Sequence, residues 1–403
     1  MSLPDNLNLN FASHLSDIAS AECLNHHPVA SSLCPDPVEG TLAALRDPID
    51  YPAMTDAIVP GDTVAIAVDP NTPHVSSILS AVLQLLQPTE AAGVSVVIGD
   101  EASASTIQAI ETVVGDAAEV KIHHPSDRES LRFLGPDALA NPMYLNRFLV
   151  DADFVLPITS GRCGDLDRQH DLYGFFPDFS DAASRLRLLA PPKDALTDTA
   201  DPNEPALILG AQLILCVTSS ETGDAAEIVA GTASAIRKHL QETRHVPGSQ
   251  SPTSLVVASL DGCQQQQTWH NAARAAAAAA RRAESGGTIV LWTNISDAPS
   301  GSLLQIGDES AELATSSETL AEDEFPSWDP TLIPAETLRK LVQDYRILLR
   351  SALEPEATES LGIGAIQSGE ELTQLTRSFA ACSVLRAASF CGATHNWPET
   401  SLS

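Results

Sequence analysis

VPGDTVAIAVDPNTPHVSSILSAVLQLLQ occupies positions 59–87. Within it, TVAIAVD (63–69) is a continuous apolar run that closes in a turn, and SSILSAVLQLLQ (76–87) spaces its leucines and isoleucine at helical intervals. A strand followed by a helix is expected. The pattern repeats in GVSVVIGD (93–100) with STIQAIETVVG (105–115), and again begins at DADFVLPI (151–158). Short apolar strands alternating with helices imply a largely parallel sheet covered on both faces. Beyond the Pro/Ser-rich stretch VPGSQSPTS (246–254), SLVVASLDG (254–262), TWHNAARAAAAAARRAESGG (268–287) and TIVLWTN (288–294) begin a second such unit. The expected fold class is α/β. It comprises two α/β domains, 1–246 and 247–403, with mostly parallel or mixed sheets flanked by helices and a cleft between them.

The balance of 22 basic against 53 acidic side chains gives a net charge of −31 over 403 residues. Such a surface repels phosphate backbones and anionic membranes, so neither nucleic acid nor membrane is an expected partner. Lysine occurs only at 121, 193, 238 and 340, which leaves few candidates for any lysine-dependent chemistry. Seven dispersed cysteines without a Cys-x-x-Cys pair read as reduced, mostly buried thiols. The opening MSLPDNLNLNFASHLSD lacks the pattern of a secretory leader, and the longest apolar run, ALILGAQLILCV (206–217), is too short to span a bilayer. A soluble cytoplasmic protein is the expectation.

APPKDALTDTADPNEP (190–205) reads as an excursion, and the acidic SSETLAEDEFPSWDP (316–330) as a solvated loop anchored by Phe325 and Trp328, with a lid over a cleft as its alternative. The alanine run at 275–280 is explained by helix propensity. A nicotinamide-binding loop is disfavoured, because GIGAIQSG (362–369) has glutamine where the third glycine of Gly-x-Gly-x-x-Gly belongs. Walker-A, His-Glu-x-x-His and Gly-x-Ser-x-Gly motifs are missing as well.

One stretch, VKIHHPSDRESLRFLGPDALANPMYLNRFLVDADFVLPITSG (120–161), carries a distinctive order of features: His124 to Asp127, Leu131 to Gly135, Asn146-Arg147 and Asp151 to Pro157. It resembles the N-terminal domain of the nickel-dependent lactate racemase family. VPGDTVAIAVDPNTPH sits where that family has its Pro-Gly-Asp strand and Asp-x-Thr-Arg-Pro turn, and LDGCQQQQTWHNAARAAAAAARRAESGGTIVL (260–291) resembles its C-terminal domain. The resemblance implies interconversion of 2-hydroxy acid enantiomers between two domains. There a nickel-pincer nucleotide takes hydride from C2 while histidine handles the hydroxyl proton, work that suits a group titrating near neutrality.

Carried over residue by residue, the resemblance is uneven. Glu101 replaces the first family histidine; it could act as a base if buried, and otherwise reads as a solvated carboxylate or helix-start residue. His170, in HDLYG, matches the second; its plain alternative is a bond to Asp167 or Asp171. Ser180 stands where the cofactor-bearing lysine belongs, and no histidine lies between His170 and His239 to ligate nickel. The covalent nickel-pincer nucleotide is therefore expected to be absent. Asp69 and Thr72 occupy the first turn, where Pro73-His74 replaces the family's arginine, and Asn271 and Arg274 take the places of a glutamine and lysine. Arg274 can hold a carboxylate bidentately, or be a surface charge. Arg162 and Arg168 add an anion-accepting character beside His170.

The catalytic expectation thus rests on His170 and Glu101. Substrate binding is expected from Asp69, Thr72, Arg162, Arg168, Asn271 and Arg274, with the segment around Asp261 to Asn271 facing Asp69 and His170. The expected function is a divergent racemase- or epimerase-type isomerase acting on, or binding, a small carboxylated 2-hydroxy compound. The alternatives are a non-catalytic binding or interaction paralogue, and an enzyme using His170, Glu101 and a different metal for proton transfer without hydride transfer. Cofactor, substrate and oligomeric state are left open by the sequence.

Overall fold

The computed structural model describes residues 21–22, 33–137, 140–161, 172–189, 204–243, 251–308 and 326–391. Arg162, Arg168, His170, Lys193 and Phe325 lie outside these residues, as does the expected division between 246 and 247.

In chain order the strands are β1 (Ala21–Glu22), β2 (Thr63–Val68), β3 (Gly93–Ile98), β4 (Glu119–Ile122), β5 (Leu131–Pro136), β6 (Pro142–Asn146), β7 (Phe154–Thr159), β8 (Ile214–Ser219), β9 (Ala225–Gly231), β10 (Thr253–Ser259), β11 (Ala283–Trp292), β12 (Arg346–Arg350), β13 (Gly364–Ala365) and β14 (Cys382–Leu385). The longer helices are α1 (Pro37–Arg46), α2 (Val75–Leu86), α3 (Ala104–Val114), α4 (Ala182–Leu189), α5 (Ala233–Thr243), α6 (Trp269–Ala280), α7 (Leu332–Asp344) and α8 (Gly369–Thr376). The fold is α/β, with sheets flanked by helices.

The first sheet has the order β4-β3-β2-β7-β8-β9, parallel throughout except for the β8–β9 hairpin. Its central strands β2 and β7 are almost wholly apolar and buried because both faces are covered. Leu42, Ile78, Leu79 and Val82 of α1 and α2 pack on one face, and Phe175, Phe179, Ile236 and Leu240 on the other. The chain winds outward from β2 to β4 and then returns to the far side of β2 as β7. The strand order therefore reverses between β2 and β7, which is where open parallel sheets leave a crevice beyond their carboxyl ends.

The second sheet, β1-β14-β10-β11-β12-β13, is parallel throughout. Its reversal lies between β10 and β14, and a buried ion pair fills it: Arg386 donates to Asp261, which also accepts from Ser259 Oγ and the Ala387 amide. The edge strand β1 comes from ahead of the first sheet. The alanines of α6 do more than favour a helix: Ala275, Ala276 and Ala279 are fully buried in the core that includes β10 and β11.

Two local features differ from the expectation. The run 206–217 divides into a short helix, Glu204–Leu209, and β8. The stretch 326–330 is docked on the first half, with Trp328 Nε1 donating to Asp100 and Ser126 Oγ to the Pro326 carbonyl. Among the described residues, no helix is long and apolar enough to cross a membrane.

Candidate functional site

The two halves meet at the carboxyl ends of β2 and β3 on one side and the first turns of α6 on the other. Asp69, directly after β2, accepts from the Asn71 amide (2.9 Å) and from Ser160 Oγ after β7 (2.5 Å), tying together the two strands at the reversal. Gly99, Asp100 and Glu101 follow β3, and Ser103 then caps α3 by accepting from the Thr106 amide. Across the seam, Thr268 caps α6, so His270, Asn271 and Arg274 project from its first turns. Residues 270 and 274 are one turn apart and share a face.

A closed ring of hydrogen bonds joins the halves. Asn71 Nδ2 donates to Glu101 Oε1 (2.5 Å), and Arg274 Nη2 donates to both Glu101 oxygens (3.2 and 2.9 Å). Arg274 Nη1 donates to Asn271 Oδ1 (3.2 Å), and Asn271 Nδ2 returns to Asn71 Oδ1 (3.0 Å). Asn271 is fully buried and also donates to the Gln266 carbonyl. The Glu101 and Arg274 side chains are only 16% and 12% exposed, so this is a largely desolvated pair whose partners each need the other. Of the two sequence readings for each residue, the solvated carboxylate and the surface arginine do not hold.

His270 lines the same pocket. Its Nε2 lies 2.9 Å from the Pro330 carbonyl and 3.9 Å from Glu101. A ring nitrogen bonded to a carbonyl is the protonated one, which assigns the tautomer. Burial lowers the His270 pKa despite the opposing pull of Glu101.

A second ion pair lies beside the first. Arg185 Nη1 reaches both Asp100 oxygens (2.9 and 3.0 Å), Nε reaches the Pro177 carbonyl, and the guanidinium stacks on Trp328. Burial alone would raise the Asp100 pKa, but Arg185, with His123 and His270, holds it below the ordinary range. His123 is fully buried, donates from Nε2 to the Ser180 carbonyl and accepts at Nδ1 from Asn146. Its pKa is lowered to about 3, by burial first and by Arg185 second. It is a neutral structural group.

The structure therefore gathers Asp69, Glu101, Asn271 and Arg274 at one seam. Thr72 is buried, its hydroxyl has no hydrogen-bond partner among the described residues, and its amide donates to the Asp69 carbonyl. Arg162, Arg168 and His170 fall outside the described residues. Ser180 is fully buried, with its hydroxyl donating to the Pro177 carbonyl (2.8 Å) and the Phe175 and Phe179 rings buried nearby in sequence. Sequence reasoning missed Asn71, Asp100, Arg185 and His270, and had Trp328 only as a loop anchor. A spacing of four from Arg274 could have found His270, and Asn71 shares a turn with Asp69 and Thr72. No group of three His, Cys, Asp or Glu side chains among the described residues is placed to hold a metal ion.

The backbone course has known counterparts. Over 98% of this chain and 97% of the other, the structure superposes on the lactate racemase apoprotein from Thermoanaerobacterium thermosaccharolyticum with a TM-score of 0.70 and 13% identity. The fold is lactate-racemase-like. A Thermotoga maritima protein of known structure matches 90% of this chain and 100% of its own length, with a TM-score of 0.55 and 11% identity. No family model matches the sequence, and no curated protein matches it. What this lactate-racemase-like chain shares is therefore a backbone frame, and the chemistry of its seam follows from its own side chains.

Proposed function

We propose that this chain is a divergent lactate-racemase-like protein that takes a small 2-hydroxy acid into the seam, with the ligand carboxylate in the place Glu101 holds on Arg274 and its C2 carbon between the displaced Glu101 and His270. The observation that carries the reading is the largely buried Arg274 guanidinium, already gripping a carboxylate through both oxygens beside a strand-order reversal. Its frame is shared with a lactate racemase apoprotein. Glu101 and His270 supply the two groups able to move a proton, one from each half. Removal of the C2 proton by one and delivery of a proton to the opposite face by the other would invert that carbon, which supports isomerase chemistry. The charge of −31 favours a small molecule over nucleic acid or a membrane surface as partner.

The nickel-pincer nucleotide of the family does not fit the described residues. A lysine nitrogen would have to stand where Ser180 turns its hydroxyl inward onto the Pro177 carbonyl. No step of the proposal passes through that cofactor.

One observation favours a binding module without catalysis: the charged groups of the seam are satisfied in pairs, Glu101 with Arg274 and Asp100 with Arg185. Calorimetry with (R)- and (S)-lactate and longer 2-hydroxy acids at about 1 mM, an ordinary substrate level, separates the readings when joined to chiral chromatography. Binding by wild type that Arg274→Ala abolishes is expected. Interconversion of enantiomers supports the isomerase, and binding without interconversion supports the module. Equal binding by wild type and Arg274→Ala overturns both.

A further inference from the structure

We infer that Glu101 is a built-in competitor for the ligand: it occupies the place on Arg274 that a ligand carboxylate takes, so that binding and opening of the seam are one exchange reaction. The identity of the ligand rests on the function proposed above. The existence of the exchange rests on the ring.

The half of the ring contributed by α6 is assembled from its own surroundings. Asn271 Nδ2 is held by the Gln266 carbonyl, and Asn271 Oδ1 accepts from Arg274 Nη1, which fixes the guanidinium whether or not Glu101 is present. The opposing half delivers one carboxylate, from a loop three residues beyond the end of β3. Such a receptor does not distinguish a glutamate side chain from any other carboxylate of similar reach, because a guanidinium recognises the planar pair of oxygens.

Space makes the two mutually exclusive. The pocket beside the pair, walled by Asp69, Asp100, Asp178, His270, Trp328 and Pro330, has about 30 Å³ open to the centres of water molecules. Both Glu101 oxygens already sit on Arg274 Nη2, so a ligand carboxylate cannot reach that nitrogen while Glu101 holds it. It must replace it. Exchange of one carboxylate for another keeps Arg274 paired and avoids stranding a desolvated charge. Once Glu101 leaves Arg274, Asn71 gives up a partner as well, and the seam loses the three bonds through which Glu101 closes the ring.

The test uses the full chain and small carboxylates, with hydrogen exchange read in peptides covering 70–74 and 268–275. Glu101→Ala should speed exchange in both segments relative to wild type. Acetate, against chloride at equal ionic strength, should restore protection in Glu101→Ala and fail to do so in the Glu101→Ala/Arg274→Ala double variant. Lactate should bind Glu101→Ala about tenfold or more tighter than wild type, since it no longer displaces a resident group. Acetate without effect on Glu101→Ala overturns the inference, as does lactate binding equally to wild type and variant. The second of these outcomes leaves the 2-hydroxy acid reading intact. Rescue by acetate with no affinity for any 2-hydroxy acid does the reverse: the exchange stands and that ligand class falls. Glu101→Gln, which preserves volume, replaces the alanine variant if the latter does not fold, and it is read through lactate affinity with the same two outcomes.

Discussion

His123 and Asp100 show how single residues near the seam set its tolerance of acid. His123 titrates near 6.5 when unfolded and at about 3 in the native protein. Between those values the unfolded chain binds a proton that the native state refuses, so stability is whole above the unfolded value and falls as pH drops toward 3. Asp100 acts in the same sense: its native pKa is depressed, so its contribution is present above the unfolded carboxylate value and is lost as pH falls through the lower one. Urea midpoints at pH 7, 6, 5 and 4 should decline, with His123 responsible for a loss on the order of a few kcal/mol across the window. In His123→Gln, which keeps a donor and an acceptor, the decline between pH 6.5 and 4 should flatten; an unchanged slope would remove His123 as its source. Asp69, Glu101, Asn271 and Arg274 could be picked out of the sequence because the resemblance to the lactate racemase family marks their positions. Arg185 could not. On an amphipathic helix it reads as an ordinary surface charge, and what buries it is a tryptophan more than a hundred residues further along the chain.

At the scale of elements, the β8–β9 hairpin makes a close approach between the halves. Gly223, at its turn, has φ +78°, and a Cβ there would lie 2.4 Å from the Gly262 amide nitrogen and 2.5 Å from the Asp261 carbonyl carbon. Gly210 has almost the same backbone angle, +77°, with nothing within 4 Å. The two positions therefore separate strain from collision. Gly210→Ala should cost about 1 kcal/mol from the left-handed backbone alone. Gly223→Ala should add to that the displacement of the hairpin from the loop after β10, for a total of roughly 3 kcal/mol or more by urea denaturation. Equal losses at the two sites would mean that the halves yield freely. Strands β2, β3, β7, β10 and β11 were legible because burial on two faces leaves continuous apolar runs. The antiparallel return of β9 was not, since AAEIVAG contains small residues and one charge, and its pairing is decided by a tight turn rather than by periodicity.

Across the whole molecule, the two halves are joined by more than the seam. Strand β1 precedes every strand of the first sheet, yet it pairs Ala21 with Cys382 and Glu22 with Ser383 at the edge of the second. During synthesis on the ribosome, this earliest strand has to wait for its partner until some 360 further residues have been made. In the interval, the first sheet can complete itself while the second lacks both β14 and the strand that covers it. Residues 382–385 of β14 are all buried in the finished protein, so an uncovered β14 presents an apolar edge of unpaired amides to other nascent chains. Deleting residues 1–22 should therefore raise light scattering during refolding at micromolar concentration, while the first sheet keeps its native exchange protection. Refolding of the shortened chain without added scattering would show that β14 is shielded by something other than β1. The vulnerable moment in this protein's life then falls when β14 leaves the ribosome and must be met by a strand made some 360 residues earlier.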